Sequence, residues 1–213
     1  MRKVTVILLA LLMVVSLAAC ARKSEPAETS PSDGENSAAQ TDETEEAESA
    51  ADGSRILVAY FSATNTTEGV AQYAADILNA DLYEIVPEVA YTDADLNYND
   101  DSSRSTVEMN DPSSRPAISG AVENMEQYEI VFIGYPIWWG QAPRIVSTFM
   151  ESYDFSGKTV VPFCTSGSSG IGSSAAGLQQ LTDNARWLEG QRFSGGSTRE
   201  EIAAWIESLN LDA

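Results

Sequence analysis

Hydrophobic and polar positions after residue 54 follow two alternating patterns. Runs rich in apolar residues, typical of buried strands, occupy residues 55–61, 82–86, 130–135 and 159–164, with a weaker run at 186–193. Between them, apolar side chains recur at helical spacing within residues 70–78, 145–150, 178–181 and 202–209, and a short helix is expected between residues 119 and 127. Strands that alternate with helices predict an α/β sandwich with a parallel sheet and right-handed crossovers.

Local signals refine this pattern at four places. Pro143 is expected at the first position of a helix, and Thr198 and Glu201 have capping-box spacing before the last helix. Pro162 predicts a kink, or a position without a hydrogen-bond donor, in the fourth strand. Residues 91–116 follow neither period and are long for a loop, which indicates a functional or mobile segment.

The first 20 residues form a pattern of their own. A cationic start precedes an apolar stretch at residues 4–17, which is too short for a comfortable membrane span and has the proportions of a signal-peptide core. The sequence Leu-Ala-Ala-Cys at residues 17–20 resembles the lipobox of bacterial lipoproteins, which implies cleavage before Cys20 and attachment of a diacylglyceryl group to its sulfur. An ordinary signal peptide with a coincidental cysteine is the alternative. The expected location is outside the cytoplasm, anchored by lipid to a bacterial membrane.

Residues 21–54 hold ten acids, two bases and almost no large apolar side chain. Such a stretch cannot bury enough apolar surface to offset its conformational entropy, so a disordered, self-repelling tether is predicted. The chain is thereby divided into a signal peptide at residues 1–19, a lipidated cysteine and tether at 20–54, and one folded domain at 55–213.

Composition narrows the chemistry of that domain. Acidic residues outnumber basic ones 32 to 12 in the 213-residue chain, a net charge of -20, and the basic residues of the domain are scattered. Nucleic acids and anionic lipid surfaces need clustered cations, so neither is expected as a partner. Histidine is absent and only two cysteines occur. Ser-His-Asp hydrolysis, histidine-containing zinc sites and Cys-rich metal sites are therefore excluded, and no metal is expected.

Ligands of open parallel sheets bind beyond the carboxyl ends of the strands, where three unusual loops are predicted. The first, Ser-Ala-Thr-Asn-Thr-Thr at residues 62–67, places hydroxyls and backbone donors at a helix N terminus, where the helix dipole favours an anion. It lacks the lysine of a triphosphate-binding loop, so a monophosphate fits better. A second interpretation is that Thr66 or Thr67 only caps the helix.

The spacing Ser62-x-Thr64-x-x-Thr67 after the first strand resembles the phosphate loop of flavodoxins. In that family, Ser or Thr hydroxyls surround the phosphate of FMN without a cationic partner. The resemblance implies that the phosphate is held by Ser62, Thr64, Asn65, Thr66 and Thr67.

The second loop, residues 135–143, places two tryptophans at the end of a buried strand. Paired tryptophans are often plain core, but adjacent side chains of an extended chain point opposite ways and cannot serve one core face. The loop resembles the flavodoxin segment that supplies an aromatic plate and main-chain contacts to the flavin, with Gly140 near the peptide that flips beside flavin N5. The resemblance implies that the isoalloxazine is held by Pro136, Ile137, Trp138, Trp139 and Gly140, with Trp138 slightly favoured as the stacking side chain.

The third loop, residues 165–173, is small and rich in donors. It resembles the loop that edges the pyrimidine side of FMN, which implies contacts from Thr165, Ser166, Gly167 and Ser168, although the aromatic residue that many flavodoxins have there is missing. Gly170-x-Gly172-x-x-Ala175 also fits a dinucleotide fingerprint loosely, but after three strands rather than in the first βαβ unit. Cys164 is interpreted as a small buried hydrophobe, and the aspartates of residues 93–101 as a solvated loop rather than a cation site.

The resemblance to flavodoxins spans residues 55–209 and implies a three-layer sandwich around a five-stranded parallel sheet of order 2-1-3-4-5 that binds FMN. Tyr91 and Arg104 of the long polar segment are expected to cover the site. The implied function is electron transfer at the outer face of a membrane, with a redox protein or a small quinone-like acceptor as partner. Two alternatives stay open: an FMN-dependent NAD(P)H quinone or nitro reductase, and a flavin-free module that binds another phosphate ligand on the same fold.

Overall fold

The computed structural model describes residues 55–211 of the chain. Its strands are β1 (Arg55–Tyr60), β2 (Asp81–Glu84), β3 (Val86–Pro87), β4 (Ile118–Ser119), β5 (Tyr128–Pro136), β6 (Thr159–Thr165), β7 (Arg186–Trp187) and β8 (Gln191–Phe193). The main sheet has the order β2-β1-β5-β6, and both β7 and β8 pair with β6 at its last position. All of these pairs are parallel. The predicted order 2-1-3-4-5 is confirmed, with the fifth strand divided into two short pieces.

Helices cover both faces of the main sheet. They are α1 (Thr66–Leu78), α2 (Arg104–Asn110), α3 (Arg144–Glu151), α4 (Ser174–Gln179) and α5 (Arg199–Ser208). Along β1, Leu57 and Ala59 pack into one core with buried residues of α2, α3 and α4, whereas Val58 and Tyr60 pack into a second core with α1 and α5. Because successive side chains of a strand point to opposite faces, a strand buried on both sides is apolar at every position. The predicted three-layer α/β sandwich is confirmed.

The long polar segment contains a helix that its pattern did not predict. Ser103 is the N-cap of α2, and its side chain accepts a hydrogen bond from the Thr106 backbone N–H. The buried residues of α2 are Ser105, Thr106 and Met109. Since two of these three are small polar residues, the helix has no apolar stripe for a hydrophobic pattern to reveal.

The helix expected between residues 119 and 127 is wrong. There, β4 pairs antiparallel with β3 in a separate two-stranded sheet, and only a 3-10 turn, Met125–Gln127, follows. Gly120 and Asn124 have φ angles of 80° and 53°, which lie outside the right-handed helical region. The left-handed backbone at these two positions prevents a continuous helix.

Pro162 lies where β6 passes from one partner strand to the next. Residues Thr159 and Val160 pair with β7, and pairing with β8 begins at Phe163. The backbone nitrogen of proline has no hydrogen to donate, which agrees with the predicted position without a donor. A Cβ on Gly190, between the two short strands, would lie 2.7 Å from the Pro162 carbonyl oxygen, so glycine permits this close approach.

Two helix starts follow the sequence signals closely. Both hydrogen bonds of the capping box between Thr198 and Glu201 are present at the start of α5, as predicted. Pro143 is the N-cap of α3 rather than its first helical residue, one position from the prediction. None of the helices within residues 55–211 has the length and apolar character that crossing a bilayer requires. The predictions for Cys20 and for the tether at residues 20–54 lie outside the described residues.

Candidate functional site

Three loops meet beyond the carboxyl ends of β1, β5 and β6 and surround a cavity of about 480 Å³. The predicted site residues that line it are Ser62, Thr64, Thr66, Thr67, Pro136, Ile137, Trp138, Thr165, Ser166 and Gly167. Four predicted residues of the same loops do not line it: Asn65, Trp139, Gly140 and Ser168. A cavity of this size and position is typical of a small-molecule site in an open α/β sheet.

The first loop leads into the N terminus of α1. Asn65 is the N-cap, with a left-handed φ of 60° and no side-chain cap hydrogen bond. Thr66 and Thr67 lie within the first turn, so the interpretation that either residue only caps the helix is wrong. The first backbone N–H groups of a helix have no partner within it, and at the start of α1 no side chain caps them. Such an N terminus is suited to an anion.

The Ser62 hydroxyl is the most informative polar atom of the cavity. Its Oγ is buried, and it has no hydrogen-bond partner among the described residues. A buried hydroxyl without a partner is unfavourable by about 1–3 kcal/mol. Since Ser62 also lines the cavity, a ligand atom that bonds to this hydroxyl would remove the penalty.

Threonine hydroxyls connect the first loop to the third. Thr67 Oγ1 and Thr165 Oγ1 are 2.8 Å apart in a buried hydrogen bond. Within the first loop, Thr64 Oγ1 and Thr66 Oγ1 are 3.4 Å apart. The Thr67–Thr165 bond ties the first turn of α1 to the end of β6, and both residues line the cavity.

The two tryptophans of the second loop have separate environments, as the alternation of side chains predicts. Trp138 lines the cavity and is only 4% exposed, and its ring packs edge-on against Phe61 and Tyr91 at centroid distances of 5.5 Å and 5.2 Å. Trp139 is 39% exposed and lies outside the cavity lining, stacked on Tyr98 at 4.3 Å. Trp138 is therefore the tryptophan available to a ligand in the cavity.

A tight turn accounts for this separation. The backbones of Trp138 and Gln141 exchange two hydrogen bonds of 2.9 Å, and the two residues between them have positive φ angles, 46° at Trp139 and 76° at Gly140. Two successive positive φ angles define the turn that favours glycine and asparagine. A tryptophan in the left-handed region is strained, and strained backbone clusters at functional sites.

Tyr91 and Arg104 do not line the cavity, and the expectation that they cover the site is corrected accordingly. The Tyr91 hydroxyl donates to the Glu108 carboxylate at 2.5 Å, Arg104 pairs with Glu108 at 2.6 Å, and the guanidinium lies 4.0 Å above the Tyr91 ring. Burial, with the hydrogen bond to Glu108, raises the pKa of Tyr91 well above its usual range. Within this cluster, the Tyr91 ring packs against Trp138 on the side away from the cavity lining.

Sequence reasoning missed four residues that line the cavity: Ala63, Leu96, Tyr98 and Gly195. Leu96 and Tyr98 belong to the same long polar segment as Tyr91 and Arg104, the two residues that were expected to cover the site. An exposed aromatic residue in a polar loop was the available signal for Tyr98, which is 54% exposed. Gly195 follows β8 and approaches Thr66, whose Cγ2 would lie 3.0 Å from a Cβ at that position.

Arg192 of β8 holds the third loop from outside the cavity. Its guanidinium donates to the carbonyl oxygens of Ser166 and Gly167 at 2.6 Å and 2.7 Å. The Ser166 hydroxyl donates to the Ser169 carbonyl oxygen, which closes the loop on itself. Within the described part of the chain, no cationic side chain lines the cavity. A bound anion would therefore be held by hydroxyls and backbone N–H groups.

Two further groups near the site have structural roles. Cys164 is fully buried at the end of β6, and burial raises the pKa of its thiol to about 12, so the thiol stays protonated near neutral pH. Asp95 accepts hydrogen bonds from Thr92, which lower the pKa of the Asp95 carboxyl. Across residues 55–211 there is no group of three or more His, Cys, Asp or Glu side chains placed to hold a metal ion.

Comparison with known proteins places this arrangement in a family. The profile of the Flavodoxin family matches residues 55–209. A crystal structure from Bacteroides eggerthii, provisionally described as that of a flavoprotein, is 49% identical over 75% of this chain and 100% of its own, with a TM-score of 0.71. A similarly described protein from Bacteroides uniformis is 46% identical over 73% of this chain and 99% of its own, with a TM-score of 0.70.

A more distant structure shares the fold alone. The flavoprotein from Lactobacillus acidophilus, solved in complex with FMN, is 17% identical over 74% of this chain and 99% of its own, with a TM-score of 0.56. None of the curated proteins compared with the chain matches it. The family profile spans nearly all of the described residues, and its match coincides with the strand order and with the three loops around the cavity. The chain therefore belongs to the flavodoxin family.

Proposed function

We propose that the domain binds FMN in the cavity beyond β1, β5 and β6 and that it transfers electrons. The observation that carries this proposal is the buried Ser62 hydroxyl, which has no partner among residues 55–211, together with the N terminus of α1, which has no side-chain cap. A phosphate monoester supplies acceptor oxygens for both groups and needs no cation there, because hydroxyls and helix N–H groups hold phosphate by charge-assisted hydrogen bonds. The cavity lining fits this ligand.

The remaining cavity suits a flat aromatic ring system. Trp138 offers an indole within the lining, Tyr98 lines the cavity with a ring that also stacks on Trp139, and Gly167 has no side chain there. Bound FMN would supply the redox chemistry of the site. The protein would bind the flavin and exclude water from it with Trp138 and Leu96. The strongly acidic chain would surround the flavin with a negative electrostatic field.

The flavodoxin match and the FMN complex of the Lactobacillus acidophilus flavoprotein support the choice of FMN. Titration of the purified chain with FMN and with riboflavin tests it. Replacing both Thr64 and Thr67 with alanine should weaken FMN by about tenfold or more for each lost charge-assisted bond, and riboflavin far less. Equal losses for both flavins would place the phosphate elsewhere, and no binding of either flavin would favour a flavin-free phosphate-binding module.

A second measurement distinguishes an electron-transfer protein from a reductase. The FMN-loaded protein is mixed with NADH or NADPH and a quinone, and turnover is followed by absorbance. We expect that the flavin is reduced by a redox protein and that the nicotinamide alone supports no turnover. Steady turnover with a quinone or nitro compound would instead identify an NAD(P)H-dependent reductase.

We also propose that the protein works at the outer face of a bacterial membrane through a lipid on Cys20. The support is the Leu-Ala-Ala-Cys sequence at residues 17–20 and the acidic segment that follows it. Replacing Cys20 with serine should release the protein from the membrane fraction, while flavin affinity stays the same. Equal membrane association of both forms would contradict the lipid anchor.

A further inference from the structure

Arg192 of β8 contacts the third loop through three hydrogen bonds. One guanidinium nitrogen, Nη2, donates to the carbonyl oxygens of Ser166 and Gly167 at 2.6 Å and 2.7 Å, and Nε donates to the Ser166 hydroxyl at 3.3 Å. A guanidinium has only donors, arranged in a rigid fork, so it turns both carbonyl groups toward itself. Ser166 and Gly167 line the cavity, whereas Arg192 does not.

The two carbonyl groups also fix the direction of two backbone N–H groups. In a planar trans peptide the N–H points opposite to the C=O, so the N–H groups of Gly167 and Ser168 point away from the guanidinium. Neither N–H donates to a protein acceptor among residues 55–211. Because these peptides belong to residues that line the cavity and Arg192 lies behind them, both donors are open to a ligand in the cavity.

The positive charge of Arg192 is not neutralised by a carboxylate. Its guanidinium takes part in none of the ion pairs formed within the described part of the chain. Burial raises the pKa of the Cys164 thiol and the Arg192 charge lowers it in part, so the field of this guanidinium reaches into the domain. A charged donor on a peptide C=O also polarises that peptide, which makes its N–H a stronger donor. Arg192 therefore presents a positive field and two oriented donors to the cavity.

One edge of a flavin ring system matches these donors. Its carbonyl oxygens lie on the pyrimidine ring, whereas the dimethylated ring at the opposite end carries no acceptor. When the flavin takes up two electrons and one proton, the negative charge it gains is spread over N1 and the neighbouring carbonyl of the same edge. Donors that a guanidinium has polarised would therefore hold the pyrimidine edge in both redox states, and more tightly in the reduced state.

We infer that Arg192 is a positioning residue that raises the reduction potential of the flavin bound in the cavity. It acts through the peptides that join Ser166, Gly167 and Ser168: it directs their N–H groups at a pyrimidine carbonyl, and its charge favours the reduced, anionic ring. This inference rests on the proposed flavin site and adds to it a residue outside the cavity lining. Arg192 itself needs no contact with the flavin.

The test measures flavin affinity and midpoint potential on the whole chain with Arg192 replaced. Arg192→Gln should weaken oxidised FMN and riboflavin by the same factor, about tenfold, because the donors face the ring and not the phosphate. Reduced flavin should be weakened by about tenfold more, which lowers the two-electron midpoint potential by about 30 mV. Arg192→Lys keeps the charge and should keep a potential close to that of wild type. A potential as low as that of Arg192→Gln would contradict the role of the charge.

Arg186→Gln is the matched control, because it removes the same charge from the same edge of the sheet. Arg186 lies opposite Thr159 of β6 and Arg192 lies opposite Cys164, a separation of about 16 Å along the strand at 3.3 Å per residue. This distance exceeds the Debye length of about 8 Å at physiological ionic strength. Arg186→Gln should therefore change neither the potential nor the affinity for either flavin.

A measurement on wild type makes the test independent of whether Arg192→Gln folds. The backbone amides of Gly167 and Ser168, followed by nuclear magnetic resonance, should exchange their hydrogens rapidly in the flavin-free protein. They should become protected when FMN saturates the protein, because each N–H then has an acceptor. Amides that stay unprotected in the complex would overturn the inference.

The outcomes separate this inference from the proposed function. If wild type binds FMN and folded Arg192→Gln has the wild-type potential, the inference is wrong and the FMN proposal stands. The inference is also overturned if Arg186→Gln lowers the potential as much as Arg192→Gln does, or if Arg192→Gln weakens FMN and leaves riboflavin unchanged. If wild type binds no flavin, both proposals fail.

Discussion

Replacing Ser62 with alanine should change the stability of the flavin-free protein and its affinity for FMN in opposite directions. The Ser62 Oγ is buried and has no partner among the described residues, so it lowers stability by the desolvation penalty of an unsatisfied hydroxyl, about 1–3 kcal/mol. Removing it should raise the free energy of unfolding of the flavin-free protein by about 1 kcal/mol. Urea unfolding of both proteins without flavin measures this difference.

The same hydroxyl is a donor to the phosphate in the FMN complex that we propose. A hydrogen bond to a charged group contributes about 1.5–3 kcal/mol, which corresponds to roughly a 10- to 150-fold loss of FMN affinity in Ser62→Ala. Calorimetric titration with FMN and riboflavin gives the loss for each flavin. Riboflavin has no phosphate, so its affinity should change far less.

Ser105→Ala is the matched control for this variant. Ser105 is a buried serine of α2 whose hydroxyl donates to the Asp95 carbonyl oxygen at 2.6 Å. Its removal should lower the free energy of unfolding by about 1 kcal/mol and leave FMN affinity unchanged. The reasoning is refuted if Ser62→Ala is destabilising like Ser105→Ala, or if it binds FMN as tightly as wild type.

Three further predictions concern packing and titration. Trp138→Ala should lower the free energy of unfolding by about 3–5 kcal/mol because the ring is buried. Trp139→Ala should lower it by about 0.5–1.5 kcal/mol, because only the stacking on Tyr98 is lost. Similar losses for both variants in urea unfolding would contradict these environments. Gly134→Ala should lower the free energy of unfolding by roughly 3 kcal/mol, because its Cβ would lie 2.2 Å from a buried phenylalanine ring. Gly69→Ala should raise the free energy of unfolding by about 0.5–1 kcal/mol, because alanine favours a helix more than glycine does. Equal effects of the two variants on the melting temperature would refute the packing argument. Burial raises the pKa of the Cys164 thiol from 9.0 to about 12, so the stability that the protonated thiol provides is fully present below pH 9 and is lost as the pH rises toward 12. Iodoacetamide at pH 8 should leave Cys164 unmodified in the native protein and modify it after unfolding, as mapped by mass spectrometry.

The strands illustrate what short-range pattern predicts well. Residues 130–135 are apolar at nearly every position because β5 is buried on both faces between two helical layers. The capping box at Thr198 is a local device whose four residues are consecutive, so it can be read before any fold is known. The three loops were found for the same reason, since each directly follows such a strand.

The cavity illustrates what pattern does not predict. Thr67 and Thr165 lie 98 positions apart, and their hydrogen bond exists only because β1 and β6 lie in one sheet with β5 between them. Tyr98 reaches the site from a segment without periodicity, and α2 in that segment is buried through small polar residues. Neither feature has a local hydrophobic signature.

The amino-acid sequence alone was enough for the strands of the main sheet, the helices α1, α3, α4 and α5, the parallel three-layer architecture and the three ligand-facing loops, because side-chain burial repeats every two residues in strands and about every 3.6 in helices. It missed α2 and the small β3–β4 sheet. Two features depended on the folded chain: the choice of Trp138 over Trp139, and the burial of a Ser62 hydroxyl that has no partner among residues 55–211. Each of these arises where segments distant in sequence approach one another. Such contacts are set by the packing of the whole domain, which no local pattern encodes.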